Sequence, residues 1–321
     1  MNLSVMSPVL NQMSLEEALA YLSSLGVDSV EMGAGGYPGK AHVDAHDYLE
    51  HPEKIENFKN LLNKYNLKLS AIACHGNPVH PDKETAKHYH DEFVDGMKLA
   101  VALGCDTIIG FSGCPGDCAE SKRPNWVTCA WPEDYLEILQ WQWDEVLIPY
   151  WKKTAALAKE IGIKKIAFEM HPGFCVYNPS TLMKLRNAVG DIIGANFDPS
   201  HLFWQGIDPC AAIKYLGDAI YHFHAKDTKI DEYNTAVNGV LDTGNYGNIL
   251  ERSWVFRTVG YGHGADIWNN IISTLKAVGY DGAISIEHED SLMSPKEGLE
   301  KAVTLLKNVL IYEKAGEMWW A

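Results

Sequence analysis

Short runs rich in Val, Ile and Phe return eight times along the chain, each separated from the next by a stretch long enough for a helix. The runs are LSVMS (3–7), DSVEM (28–32), LKLSAIA (67–73), DTIIGFS (106–112), KIAFEM (165–170), IGANFD (193–198), AIYHFHAKD (219–227) and GAISIEHED (282–290). Strands that alternate with amphipathic helices pair in parallel, because each helix carries the chain back across the sheet. Eight such units predict an α/β fold of the (β/α)8 barrel type. The 321 residues fit one barrel domain spanning 1–321, and no linker or low-complexity stretch marks a boundary.

Local signals agree with this rhythm. SLEEALAYLSSLG, PEKIENFKNLLNKYN and KETAKHYHDEFVDGMKLAVALG follow the first three runs as helices. Gly recurs just before strands, in LGVDSV, LGCDTI, IGIKKI and VGYDGA, as a helix cap feeding the next turn. Two long connections, 113–135 and 228–263, follow strand ends, where barrels carry their binding loops, and are expected to act as lids. GAGG (33–36) reads as a loop and not as a dinucleotide fingerprint.

A net charge of −15 argues against partners held by phosphate neutralisation, so no nucleic acid is expected. Seven scattered cysteines lack both a disulfide framework and paired zinc spacing, which suits a reducing cytoplasm. The N-terminus lacks a signal-peptide pattern and no run approaches ~20 apolar residues, so no membrane association is expected and the chain should be soluble. Met318, Trp319 and Trp320 suggest a buried tail or a subunit contact in a homo-oligomer.

In a barrel the C-terminal strand ends converge on one bowl, so their polar residues belong together. These are Glu31, His75, Glu169 with His171, Asp198 with His201, His222, His224, Lys226 and Asp227, and finally Glu287, His288 and Glu289. Two Glu, one Asp and one His from four strands make a mixed oxygen and nitrogen shell suited to Mn2+, Co2+, Mg2+ or Zn2+. His222 and His224 share one strand face, and His224 lies nearer the end. His42, His46, His51, His80, His88 and His90 fall in loops or helices and are given no role.

The order Glu, Asp-Pro-Ser-His, His-x-Lys-Asp, a Gly-rich turn and Ile-Glu-His resembles the xylose-isomerase-like superfamily of TIM barrels. That family includes sugar isomerases and epimerases, inosose dehydratase and endonuclease IV. The resemblance implies one divalent ion, Mn2+ foremost, held by Glu169, Asp198, His224 and Glu287. It also implies a small sugar or polyol substrate, with Glu169 and Glu287 as the acid/base pair. Glu31, His75, His171, His201, Lys226 and Arg257 are expected to contact that substrate.

Two departures narrow the expectation. Cys175 in MHPGFC stands where ketose epimerases of the family carry a second substrate-binding Glu, and Ile230 stands where they carry a basic residue, which together count against free-ketose 3-epimerisation. VGYGHGAD offers only His263 where endonuclease IV builds further metal ligands. The expected activity is isomerisation or epimerisation through an enediolate. Dehydration of a keto-inositol or β-elimination from an oxidised glycoside is the alternative on the same site, and a non-catalytic sugar-binding barrel is the remaining one.

Overall fold

The computed structural model describes residues 1–320. Eight parallel strands close into a barrel: β1 (Asn2–Met6), β2 (Ser29–Gly36), β3 (Lys68–His75), β4 (Thr107–Gly110), β5 (Lys165–Glu169), β6 (Ile193–Phe197), β7 (Ile220–Ala225) and β10 (Ala283–Ile286). β10 pairs with both β7 and β1 and so completes the ring. Helices wrap the outside, where Phe58, Trp151, Trp268 and the outward Val, Ile and Phe of the strands share one buried apolar layer. The expected caps are present: Ser14 and Glu17 form a capping box for Leu15–Ser24, and Gly162, at φ 110°, ends Ile148–Ile161.

The period of two sorts strand residues between this outer layer and the barrel interior. Ile166 and Phe168 lie in the outer layer, whereas Ala167 belongs to an inner cluster with Met6, Ala71, Ala73 and Ile109. The rest of the interior is polar and buried, including Ser4, Glu31, Asn196, His222 and Ser285. Two residues above Ala167, Asn196, His222 and Ser285 come Glu169, Asp198, His224 and Glu287. The proposed ligands therefore form one layer at the mouth, above a small and polar layer.

The seventh run does not continue as one strand through Asp227. After β7 the chain leaves the barrel at Lys226, and β8 (Asp227–Ile230) pairs antiparallel with β9 (Trp254–Arg257). The Asp227 carboxylate causes this turn, since it accepts backbone N–H bonds from Thr228, Gly260, Gly262 and His263 at 2.8 to 3.1 Å, and the His263 ring at 2.7 Å. The 228–263 connection is thus an anchored ribbon with an outer loop. His263, which also stacks on Phe203 at 3.7 Å, is part of that anchor.

Two further expectations are corrected. GAGG is strand, because β2 runs on to Gly36 beside β3 through a register shift between Gly33 and Gly35. Met318, Trp319 and Trp320 are not buried within the chain; they lie past the last helix, Pro295–Val309, and are 66%, 88% and 68% exposed. Among the described residues no helix is long and apolar enough to cross a membrane.

Gly36 secures the β2–β3 mouth. Its φ is +66°, and a Cβ there would sit 1.7 Å from the His75 carbonyl oxygen. Gly36→Ala should therefore cost about 2 kcal/mol or more, read as a lowered urea midpoint. An unchanged midpoint would contradict this account of the turn.

Candidate metal centre

Backbone position accounts for where each mouth residue sits. Glu169 is the last residue of β5 and pairs with Asn196 of β6. Asp198 follows β6 and N-caps the short helix Pro199–Phe203, its Oδ1 accepting the Ser200 N–H at 2.8 Å. Glu287 follows β10 and donates its backbone N–H to the Ala225 carbonyl. One ligand atom from each of Glu169, Asp198, His224 and Glu287 lies within 4.8 Å of the others.

Two other groupings share these residues, Glu31 with His222 and His224, and Glu169 with His171 and His201. Hydrogen bonds occupy both. His224 Nε2 donates to the Glu31 carboxylate at 3.0 Å, which also accepts Ser285 Oγ at 2.7 Å. His201 Nε2 donates to Glu169 Oε1 at 2.8 Å and His75 Nε2 to Glu169 Oε2 at 3.0 Å. In the four-residue set His224 Nδ1 is buried among carboxylates, and the buried Asp198 Oδ2 is met by the Lys226 ammonium at 3.0 Å. His224 Nδ1 faces Glu287 Oε2 at 3.1 Å and Glu169 Oε2 at 3.4 Å. One imidazole nitrogen and oxygens from three carboxylates, converging from four strand ends, are the donor types a divalent cation takes. The residues fit such an ion.

Crowding carboxylates inside a protein demands positive charge nearby. Lys226, 2% exposed, supplies it: Nζ lies 2.7 Å from Glu287 Oε2, 3.0 Å from Asp198 Oδ2 and 3.2 Å from Glu289 Oε2. Burial opposes ionisation of Glu287, yet Lys226 and His224 hold its carboxyl well below the usual range. For Glu169, burial is outweighed by hydrogen bonds from His201, His224 and His75. Asp198 goes the other way: burial lifts its pKa to about 7, and Glu169 and Glu287 add repulsion. Burial lowers His201 to about 3, so its ring is a neutral donor to Glu169. For His224 burial is overcome by Glu31 and Glu287, which keep the metal-free ring protonated.

The residues expected at the substrate take several places. His75, His171 and Lys226 line the bowl with Glu169 and Glu287, and His201 stands behind His171 at a ring distance of 4.1 Å. Glu31 does not face the bowl: it is buried beneath His224 and holds that ring. Arg257 turns away as well, since its Nε donates to Asp290 Oδ2 at 3.0 Å. Sequence reasoning missed Tyr37 and Phe111, which complete the wall of the bowl. It also missed the hold on the 113–135 connection. There Asn77 brackets Cys114 through its N–H and carbonyl, and Gln142 donates to the Gly116 and Asn125 carbonyls.

Since Glu31 fixes the His224 tautomer, Glu31→Gln should weaken Co2+ binding by about 10- to 100-fold in calorimetric titration. Unchanged affinity would show that His224 is oriented by other means.

Residues 19–309 match the family described as xylose isomerase-like TIM barrel. The chain is 40% identical over 312 residues to the uncharacterised protein YfiH of Bacillus subtilis strain 168, covering 97% of this chain and 99% of that one. It is similar in fold to the probable 3-DHS dehydratase AsbF from Bacillus anthracis, with a TM-score of 0.67, 17% identity and coverage of 96% and 99%. The IolI protein, solved with a bound zinc atom, matches at a TM-score of 0.65 with 18% identity and coverage of 97% and 98%. The barrel, and a family match that spans its strand-end residues, show that this chain belongs to the xylose isomerase-like TIM barrel family.

Proposed function

We propose that the chain is a metal-dependent isomerase or epimerase of a small sugar or polyol carbonyl compound, working by proton transfer through an enediolate. The observation that carries this reading is the pair of carboxylates, Glu169 and Glu287, that approach His224 Nδ1 from two different strands. Glu169, Asp198, His224 and Glu287 would hold one divalent ion, Mn2+ foremost, and the zinc in the IolI neighbour supports a metal at such a site. When bound, the ion supplies Lewis acidity that makes the C–H beside a carbonyl easier to deprotonate.

The chain's own residues do the rest. Lys226 keeps Glu287 ionised, so its carboxylate is ready to take a proton from carbon. Glu169, held by His75 and His201, faces the carbon from another direction and would return to it a proton first taken up from water. Carboxylates on different strands permit inversion at the carbon, and return by the same group permits isomerisation. Phe111 and Tyr37 give the bowl an aromatic wall.

A second reading, a lyase on the same site, is supported by Lys226. Its ammonium lies in the bowl beside Glu287, where its positive charge would stabilise the oxygen of a departing β-hydroxyl. The dehydratase description of AsbF is in line with this chemistry.

Both readings begin with removal of a proton from carbon. In a panel of keto sugars and inososes in deuterated water, the Mn2+-loaded protein should exchange a substrate C–H. Glu169→Gln and Glu287→Gln should each slow exchange by at least about 100-fold. Exchange retained in both variants would reject the acid/base assignment, while a new conjugated-carbonyl absorbance would select the lyase.

A further inference from the structure

Two cavities stand side by side above the barrel. One, of about 480 Å3, contains Glu169, Lys226 and Glu287. The other, of about 380 Å3, is walled by Trp126, Trp204, Tyr246, Trp254 and Phe256 from the two long connections and the β6 end. His171 lines both. At their boundary Phe256 lies edge-on to His201, 5.3 Å between ring centres, and Lys226 Nζ stands 4.8 Å from the Phe256 centroid. A ligand seated on the carboxylates thus has an aromatic chamber directly beside it.

The chambers differ in chemistry. The first offers carboxylates and an ammonium, suited to a polyhydroxylated unit. The second is lined by aromatic rings, of which Trp204, Trp254 and Phe256 pack together as a base and Tyr246 stands at the rim, a lining that suits the apolar face of a ring, and its size is within the ~300–1,000 Å3 of small-molecule sites. Packing alone does not use up its lining. Tyr246 at the rim is 56% exposed and Leu241 61%, leaving apolar surface for a ligand to cover. The indole N–H groups of Trp126 and of Trp204, itself 95% buried, have no acceptor within the protein.

We propose that the aromatic chamber is a second subsite, and that the substrate is a glycoside of an oxidised sugar, whose ring ketone lies over the carboxylates while a ring aglycone stacks in this chamber. A free monosaccharide fills only the first chamber. The proposal rests on the reading of the carboxylate chamber as the reacting site.

Calorimetric titration of the Mn2+-loaded protein with phenyl β-D-glucopyranoside and methyl β-D-glucopyranoside tests it. The phenyl glycoside is expected to bind about tenfold more tightly or better. Thr128→Trp, which adds an indole at the exposed rim, should erase that advantage, and Tyr246→Ala should reduce it, each checked for an intact melting transition. No advantage in the natural protein, including no measurable binding of either glycoside, overturns the subsite, as does an advantage that survives both substitutions. If the advantage holds while no C–H exchange is found, the proton-transfer reading fails and the subsite stands. If exchange is found without the advantage, the subsite alone fails.

Discussion

Three carboxylates, from Glu169, Asp198 and the partly buried Glu287, are brought together at the top of the barrel where little water reaches to screen them, and most of the mouth is arranged around that repulsion. Burying like charges is costly unless each is paired. Lys226 answers it with one ammonium placed among Asp198, Glu287 and Glu289, and His224 adds a second positive group between Glu169 and Glu287. The Lys226 position depends in turn on Asp227, whose carboxylate gathers the 258–263 turn and directs the chain out of the barrel. The ribbon that carries Trp254 and Phe256 over the bowl therefore grows from the same point that neutralises the site.

The layer beneath is equally specific. Glu31 and Ser285 hold His224 from below, while His222 is tied to Asn196 at 3.0 Å. Burial lowers the His222 pKa to about 4, so that ring adds no charge to the floor. An apolar barrel interior would leave His224 free to rotate; this polar one holds Nδ1 toward the carboxylates. Rigid support of this kind separates a site that selects one cation geometry from a loose cluster of acidic groups.

Much of this was legible in the sequence because a strand has a period of two. Asn196 with Asp198, His222 with His224 and Ser285 with Glu287 each mark one inward face, so the residues that meet at the mouth could be named from their runs. The limits of the eight runs were less legible. AIYHFHAKD reads as one strand, and only the contacts of Asp227 with residues some 30 positions later show why it breaks after Ala225. Glu31 also follows an apolar run, but the β2–β3 register shifts there, and its partner is His224, 193 residues away. Arg257 is paired with Asp290 for the same kind of reason: a tertiary contact between distant segments leaves no local periodicity to read. GAGG, read as a loop, continues as strand because glycine allows β2 to pass close to β3 at Gly36.

The central claim is that Glu169, Asp198, His224 and Glu287 act together as ligands of one ion. Anomalous diffraction at the manganese edge from crystals of the Mn2+-loaded protein tests this most directly. The account predicts one strong peak at the mouth, with the His224 Nδ1 and an oxygen from each carboxylate in its coordination shell. A peak bound elsewhere, or at the mouth without His224, would contradict it, as would no peak in crystals grown with excess Mn2+.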